Sequence, residues 1–364
     1  MWLIIFGLVM AAMALGTVYA IVCVGRFGIY KKLSGGKKWL KHLFSFITIV
    51  LVFTVLVFTM SSVNAVIVFL DTIVFFLIFG LIMRIIKRAS GKDLAVYWQG
   101  WLTIAASVVY HIIGYYLCFN IWQTDYSLVT DKHANLRIAL FADSHLGTTF
   151  DGEGFAEQMK RIEEQSPDIV LIAGDFVDDS SNRDDLIRAC EALGKMNVKY
   201  GVWYCYGNHD EGYFNSRDFT AEELEAALTE NGIHVLADEC ELVDNSFYVV
   251  GRKNGGDNDR KDMAELLEGA DTSKYIIVMD HIPNDYDEEA ASAADLVVSG
   301  HTHGGQLFPI TYVGEWFDIN DATYGYERRN DTDFVVTSGI SDWEIYFKTA
   351  TKSEYVIIDV SQKK

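Results

Sequence analysis

The chain has 364 residues, half of them hydrophobic, and a formal net charge of −20, so it is long enough to hold two or three domains. The charge is divided unevenly, because residues 1–124 carry ten Lys or Arg and two Asp, whereas the remainder carries 20 basic and 48 acidic residues. An acidic domain repels polyanions, and no basic stripe with interleaved aromatic residues is present, which excludes nucleic acid as an expected partner.

The basic first third is typical of a membrane domain. Four apolar runs are each long enough to cross a hydrocarbon core of about 30 Å as a helix. They cover residues 1–25, 43–60, 63–83 and 98–122. A cleaved signal peptide fits the first run poorly, because no basic residue precedes it and no small-residue cleavage pattern closes it. We therefore predict four transmembrane helices in residues 1–124, with the lipid bilayer as a partner.

The positive charge of this region predicts its orientation in the membrane. Six Lys or Arg lie between the first and second spans, and four lie between the third and fourth. Basic loops are retained on the cytoplasmic side. Both loops are then cytoplasmic, and everything after Trp122, including the acidic domain, is extracytoplasmic.

Two ionisable side chains interrupt the apolar spans. Asp71 and His111 each lie about thirteen or fourteen residues from the inner end of their span, which places them at similar depth on antiparallel neighbours. We expect them to pair, while an intramembrane ionisable group also suggests substrate or proton handling. Residues 125–135 follow the last span as a short polar connector.

The acidic domain, residues 136–364, alternates between two patterns. Short runs rich in Val, Ile and aromatic residues indicate buried strands at 136–142, 169–173, 202–206, 247–251, 275–279, 296–299 and 334–337. Helical patterns lie between several of them, at 155–165, 184–195, 220–231 and 285–293. Strands separated by helices predict largely parallel pairing, with ligands bound at the carboxyl ends of the strands.

Five of the nine histidines fall in short motifs that follow these strands. The motifs are Asp143-Ser144-His145, Gly174-Asp175, Gly207-Asn208-His209-Asp210, His281 and Gly300-His301-Thr302-His303. Any one of these motifs would be weak evidence, because short motifs of this kind also occur by chance. A single Asp after a strand is usually a turn or cap residue. Imidazole and carboxylate together are the ligand set for Zn, Mn or Fe, and two such ions need about seven protein ligands. Taken together, the motifs supply that number.

In this order the motifs resemble those of the calcineurin-like metallophosphoesterase superfamily. The stretch His301 to Gln306 with Phe308-Pro309 is similar to the membrane-associated bacterial branch of that superfamily. The resemblance covers residues 136 to 359 and does not extend to the membrane domain. It implies an α/β fold, a four-layer αββα sandwich, preceded here by the all-α membrane domain of four transmembrane helices.

The resemblance also implies roles for individual residues. One metal ion would be held by Asp143, His145, Asp175 and His303, and a second by Asp175, Asn208, His281 and His301. Asp175 would bridge the two ions. His209 would protonate or stabilise the leaving oxygen, and Asp178 would orient His209 and raise its pKa. Asp210 is interpreted as a structural turn residue.

Two divalent metal ions, Mn, Zn or Fe, are the implied cofactors, with metal-activated hydroxide as the nucleophile. The protein phosphatases of this superfamily carry Arg after the second Asp of GDxVD, where this chain has Asp179. Because a guanidinium clamps a phosphomonoester through two hydrogen bonds, its absence favours a diester or a pyrophosphate. The loops 254–259 and 311–329 lie near the expected edge of the site, or are ordinary loops. The cations available nearby to hold a phosphate are Arg252, Lys253, Arg260, Arg328 and Arg329.

The sequence thus predicts a membrane-anchored dinuclear-metal phosphohydrolase, such as a phosphodiesterase. Its expected substrate is a phosphorylated small molecule or a lipid-linked phosphoester outside the cytoplasm. One alternative is a membrane receptor or sensor that binds a phosphorylated ligand without turnover. Another is a small transporter, which only Asp71 and His111 support.

Overall fold

Long apolar helices form the N-terminal part of the computed structural model, which describes residues 2–92, 95–213, 216–254 and 259–363. They are α1 (Trp2–Val24), α2 (Gly28–Leu33), α3 (Lys38–Met60), α4 (Ser62–Ser90) and α5 (Trp98–Phe119). All but the short α2 are long and apolar enough to cross a membrane, which confirms the four predicted spans. Met1, where the first predicted span begins, lies outside the described residues.

The two ionisable side chains of the apolar helices contact each other. Nε2 of His111, on α5, lies 3.1 Å from Oδ2 of Asp71, on α4. Nδ1 of His111 lies 2.8 Å from the carbonyl oxygen of Ser107, and the hydroxyl oxygens of Ser107 and Thr72 are 2.8 Å apart. The predicted pairing of Asp71 with His111 is therefore confirmed, and these polar groups bond to one another within an apolar helical region.

The chain divides into two units. The first comprises the residues up to Gly114 together with Glu344–Tyr346, and the second comprises the others. The last turn of α5 belongs to the second unit, where the Cys118 thiol donates to Asp342 at 3.0 Å. The hydroxyl of Ser353 donates to the Cys118 carbonyl at 2.6 Å. The division falls at residue 114, before the predicted boundary at residue 124.

Two six-stranded sheets form the framework of the second unit. Their strands are β1 (Ile121–Thr130), β2 (Leu136–Phe141), β3 (Ile169–Ala173), β4 (Val202–Cys205), β5 (His234–Leu236), β6 (Glu239–Val243), β7 (Phe247–Gly251), β8 (Tyr275–Met279), β9 (Leu296–Ser299), β10 (Gly325–Arg329), β11 (Thr332–Val336) and β12 (Ser353–Gln362). The strand orders are β1-β12-β2-β3-β4-β5 and β10-β11-β9-β8-β7-β6. Pairing is parallel except between β12 and β2, β6 and β7, and β10 and β11. The largely parallel pairing is as predicted.

Alternating side chains build three apolar layers around these sheets. Ile138 and Leu140 of β2 join the core between the two sheets, whereas Ala139 and Phe141 join a core on the opposite face. Val278 of β8 joins the corresponding outer core of the second sheet. The helices are α6 (Gly152–Glu163), α7 (Arg183–Gly194) and α8 (Ala221–Glu230) on the first sheet, α9 (Met263–Leu266) and α10 (Tyr286–Ala291) on the second, the 3₁₀ helix His303–Gly305, and α11 (Val313–Trp316). The architecture is the predicted four-layer αββα sandwich.

The predicted connector at residues 125–135 is wrong for its first half. Residues 121–130 form β1, which lies at the edge of the first sheet and pairs in parallel with β12 along its whole length. Only Leu128 of β1 is buried. An edge strand that is buried at few positions does not need the continuous apolar run of a central strand, so the polar residues within β1 resembled those of a linker.

Candidate metal centre

The predicted ligands lie together at the carboxyl ends of five strands. Asp143 follows β2, Asp175 follows β3 and Asn208 follows β4, all in the first sheet. His281 and His301 follow β8 and β9 in the second sheet. The site is thus built from both sheets, at the edge where ligands of parallel sheets are expected.

One group of side chains that could hold a metal ion consists of Asp143, His145 and His303, whose ligand atoms lie within 4.8 Å of one another. Nε2 of His303 lies 3.9 Å from Oδ1 of Asp143. The rings of His145 and His303 are stacked with their centroids 5.2 Å apart. The carboxylate of Asp143 also accepts the backbone N–H of His301 at 3.0 Å, which fixes its direction.

A second group with the same spacing consists of Asp175, His281 and His301. Nε2 of His281 lies 3.1 Å from Oδ2 of Asp175 and 3.1 Å from Oδ1 of Asn208. Oδ2 of Asp175 also lies 3.6 Å from Nε2 of His145, a member of the first group. The carboxylate of Asp175 therefore stands between the two groups.

His209 and Asp178 form a hydrogen-bonded pair beside these groups, with Nδ1 of His209 3.0 Å from Oδ1 of Asp178. Burial lowers the pKa of His209, but the bond to Asp178 and the charge of Asp175 outweigh it and raise the pKa above its ordinary value. The charged imidazolium form of His209 is therefore favoured beside Asp178. Together with His145, these two side chains form a third group whose possible ligand atoms lie within 4.8 Å of one another.

Left-handed backbone conformations mark five of the predicted ligands. The φ angles of Asp143, His145, Asp175, His301 and His303 lie between 35° and 69°. Residues other than glycine seldom adopt such angles. Strained conformations persist only where the surrounding structure enforces them, and they cluster at functional sites.

Close packing explains two glycines of the motifs. Gly174 has a φ of 81°, and a Cβ at this position would lie 2.6 Å from Nδ1 of His281. A Cβ on Gly207 would collide with the carboxylate of Asp175. Both motifs therefore need glycine because ligand side chains occupy the space that a Cβ would take.

The donor set fits a divalent metal ion. Both ring nitrogens of His145 are buried without a hydrogen-bond partner in the described chain, which is costly unless a ligand is bound. Burial lowers the pKa of His145 and of His301 to about 3, which favours the neutral ring that binds a metal. Burial also lowers the pKa of His281, but the charge of Asp175 outweighs it and raises the pKa to about 10. Nδ1 of His281 lies 2.8 Å from the Ala173 carbonyl oxygen, which directs Nε2 into the site. Burial raises the pKa of Asp175, but the neighbouring histidines outweigh it and hold the pKa below its usual range.

Asp210 is bonded to the backbone around the site. Its buried carboxylate accepts N–H groups at 2.7 to 3.1 Å from Asp175, Phe176, Val177 and Gly207. Burial and the charge of Asp175 raise the pKa of Asp210 to about 6. These bonds join the loops after β3 and β4, as expected of a structural turn residue.

Asp342 was missed by the sequence analysis. Its Oδ1 lies 3.2 Å from Nδ1 of His303, the ring atom opposite the one that faces Asp143. Neither of these two atoms has a hydrogen-bond partner in the described chain, so the contact between them is an ion-pair distance only. Oδ2 of Asp342 accepts the Cys118 thiol and lies 3.7 Å from Nζ of the fully buried Lys348. No motif surrounds Asp342, so the sequence carries no signal for this contact.

Two exposed aromatic side chains, Tyr213 and Trp343, were also missed. Their rings lie 5.0 and 5.3 Å from the ring of His209. The hydroxyl of Tyr213 accepts a hydrogen bond from Nδ2 of Asn208 at 2.8 Å. These rings form an aromatic wall beside His209.

The cations that the sequence offered for holding a phosphate are engaged in ion pairs. Arg252 is only 2% exposed and lies within 3.3 Å of Asp280, Asp285, Glu288 and Glu289. The other pairs are Arg260 with Asp280 and Asp285, Lys253 with Asp259, Arg328 with Asp333, and Arg329 with Glu327. The interpretation is wrong for Arg252, because its buried charge is already matched by carboxylates. Residues 255–258 of the nearby loop lie outside the described residues.

Comparison with known proteins gives consistent matches. Residues 136–305 match the sequence profile of calcineurin-like phosphoesterases. An uncharacterized metallophosphoesterase of Campylobacter jejuni is 30% identical over 236 residues, which cover 63% of this chain and 60% of that protein. One from Aquifex aeolicus is 34% identical over 51% of this chain and 71% of its own length. A Danio rerio transmembrane protein with metallophosphoesterase domain is 27% identical over 81% of this chain and 72% of its own length.

Proposed function

The chain belongs to the calcineurin-like phosphoesterase family, and from this membership we propose that it is a membrane-anchored, metal-dependent hydrolase that cleaves a phosphoester. The observation that carries the proposal is the position of Asp175 between two groups of metal-binding side chains. A receptor that only bound a phosphorylated ligand would not need a protonatable histidine beside both groups.

We assign the ligands of two divalent ions. Asp143, His145, Asp175 and His303 would hold one ion, and Asp175, Asn208, His281 and His301 would hold the other. When bound, the two ions supply a hydroxide for in-line attack on phosphorus and neutralise the charge of the phosphoryl oxygens. The mixture of imidazole, carboxylate and amide suits Mn, Zn or Fe.

His209 and Asp178 serve the leaving group in this proposal. As the bond from phosphorus to the leaving oxygen breaks, His209 gives a proton to that oxygen. Asp178 holds Nδ1 of His209 at 3.0 Å, which leaves Nε2 to face the substrate. The same carboxylate favours the charged imidazolium form from which the proton is given.

The substrate class favoured by the site is a phosphodiester or a pyrophosphate, presented by the membrane. A phosphomonoester dianion carries more charge to neutralise, and Asp179 stands where a phosphate-clamping arginine would be expected. Arg252 and Arg260 are also paired with the carboxylate of Asp280, so they are already engaged and do not replace the missing phosphate clamp. The four spans keep the enzyme at the bilayer, which favours lipid-linked phosphoesters.

A hydrolysis panel on the purified full chain tests this proposal. The chain would be loaded with Mn, Zn or Fe and offered a phosphomonoester, a phosphodiester and a pyrophosphate. We expect turnover with at least one metal, and a higher kcat/KM for the diester or the pyrophosphate than for the monoester. An absence of turnover with every metal would favour the receptor, and faster monoester cleavage would overturn the substrate class.

Replacing Asp342 by asparagine should weaken metal binding by about 10- to 100-fold, the usual effect of removing a group that orients a metal-bound histidine. The carboxylate faces Nδ1 of His303 at 3.2 Å, so its loss frees the ring to turn. Isothermal titration with Mn²⁺ would measure the change. Asp333→Asn is a matched control, because Asp333 is also buried but bonds to Tyr326 and Arg328. Equal Mn²⁺ affinity in both variants would contradict this role for Asp342.

The second unit is proposed to lie outside the cytoplasm, and cysteine labelling tests this orientation. In a chain with Cys240→Ser, Glu230→Cys on the exposed end of α8 should react with a membrane-impermeant maleimide on intact cells. Lys37→Cys, in the loop between the first two spans, should react only after the cells are opened. The opposite pattern would place the second unit in the cytoplasm.

A further inference from the structure

Exposed apolar side chains of the second unit concentrate in one stretch, residues 308–319, here called the aromatic segment. Its large hydrophobic residues are each between 49% and 71% exposed: Phe308, Ile310, Tyr312, Trp316, Phe317 and Ile319. Single exposed hydrophobic residues are normal on protein surfaces, but a contiguous set marks an interaction site. In the rest of the described second unit, no twelve-residue stretch has more than three.

The aromatic segment has an ordered backbone. The Trp316 N–H donates to the Tyr312 carbonyl at 2.9 Å, and the Ile319 N–H donates to the Gly314 carbonyl at 2.8 Å. Its first residue, Phe308, donates its N–H to the Thr349 hydroxyl at 3.0 Å. The structure therefore holds these side chains outward on a defined surface.

This surface adjoins the candidate metal centre. The 3₁₀ helix His303–Gly305 begins at a predicted metal ligand and ends three residues before the segment. Gly305 has a φ of 69°, and a Cβ there would collide with the carbonyl oxygen of Thr311. Thr311 thus packs directly on the turn that carries His303.

The composition of the segment matches the interfacial zone of a bilayer. Trp, Tyr and Phe gather at the level of lipid headgroups, with apolar side chains reaching below them. The segment has no Lys or Arg, and its charged residues are Glu315 and Asp318. Contact with lipid would therefore depend on apolar insertion and not on attraction to anionic headgroups.

We propose that the aromatic segment inserts into the interfacial layer of the bilayer that the four spans cross, with Trp316 and Phe317 reaching farthest in. The metal centre next to it would then face the depth at which the phosphate groups of lipids lie. The contact itself does not depend on whether the chain hydrolyses phosphoesters. Its test is therefore independent of the hydrolysis panel.

A fluorescent probe on the segment tests the contact in the full chain. Phe317→Cys, in a chain with Cys240→Ser, would be labelled with a polarity-sensitive fluorophore and reconstituted into phosphatidylcholine nanodiscs. The other four cysteines are buried. Ile187→Cys on α7 is the matched control, because Ile187 is also apolar and 44% exposed. Tyr312→Cys provides a second position within the segment.

We expect labels at positions 317 and 312 to emit at shorter wavelength than the label at 187. Bromine on the lipid acyl chains should quench them at least twofold more strongly than the control, and the quenching should persist at high salt because no charge pairing is involved. Quenching no stronger than at position 187 would overturn the proposal. A wavelength shift that depends on protein concentration and not on bromine would also overturn it, because a second copy of the chain would then cover the segment.

Discussion

Replacing Asp175 by asparagine should abolish phosphoester hydrolysis and lower the metal content of the protein. The carboxylate stands between the two groups of ligands, 3.6 Å from His145 and 3.1 Å from His281. A neutral amide bridges two cations poorly, and losing their stabilisation of the transition state costs several kcal/mol. That corresponds to a fall in kcat of about 10³-fold or more.

The measurement for Asp175→Asn combines kcat with metal analysis of the purified chain. Asp168→Asn is a matched control, because Asp168 lies at the opposite end of β3 and accepts the backbone N–H of Arg137. The control should keep its metal and its activity. Two ions bound to an active Asp175→Asn protein would show that the bridging assignment is incorrect.

Replacing His209 by alanine should leave metal binding intact while lowering kcat by about 10²- to 10⁴-fold, the usual contribution of a positioned general acid. The imidazole is not in either group built around Asp143 or Asp175, so its loss removes no ligand from them. The deficit should shrink for a substrate with a nitrophenolate leaving group, because a weak base needs little protonation. His133→Ala, which removes an exposed histidine, is the control.

Asp178→Asn should give a smaller deficit in the same direction and should change the pH profile. The hydrogen bond to Asp178 is one cause of the raised pKa of His209. The protonated form is the acid, so activity is present below this pKa and is lost as the pH rises through it. In Asp178→Asn, which lacks the carboxylate, the loss of activity on the alkaline side should begin at lower pH.

The outcome that would rule out the acid role concerns the first of these two variants: His209→Ala would then show equal deficits in kcat on substrates with good and with poor leaving groups.

Local sequence was sufficient to predict which strand ends carry the candidate ligands. The motifs around Asp143, Asp175 and Asn208 each follow an apolar run, and parallel strands bring their carboxyl ends to one edge. Helices that cross a membrane are set by length and hydrophobicity, so the four spans could also be read directly. The pairing of Asp71 with His111 followed from equal depth on neighbouring helices.

The features that could not be predicted from the sequence have something else in common. β1 is an edge strand of mixed polar and apolar sequence, and only its pairing with β12, more than 220 residues later in the chain, identifies it as a strand. From the sequence, Arg252 was predicted to be available to hold a phosphate, but in the structure four carboxylates surround it. In both cases, partners remote in sequence determine the role of the residue.

The sequence by itself determined the order of the candidate metal-binding motifs, the alternation of strands and helices and the four apolar spans, because each depends on short-range periodicity or on residue type at a strand end. The four-layer αββα arrangement was implied by the family resemblance of those motifs. Only the tertiary structure decided that Asp342 stands behind His303 and that the aromatic side chains of residues 308–319 remain exposed. The reason is physical. Burial and second contacts to a ligand are properties of the packed chain, and an Asp in a loop or a Trp in a turn has the same local sequence whether it is buried, bonded or exposed.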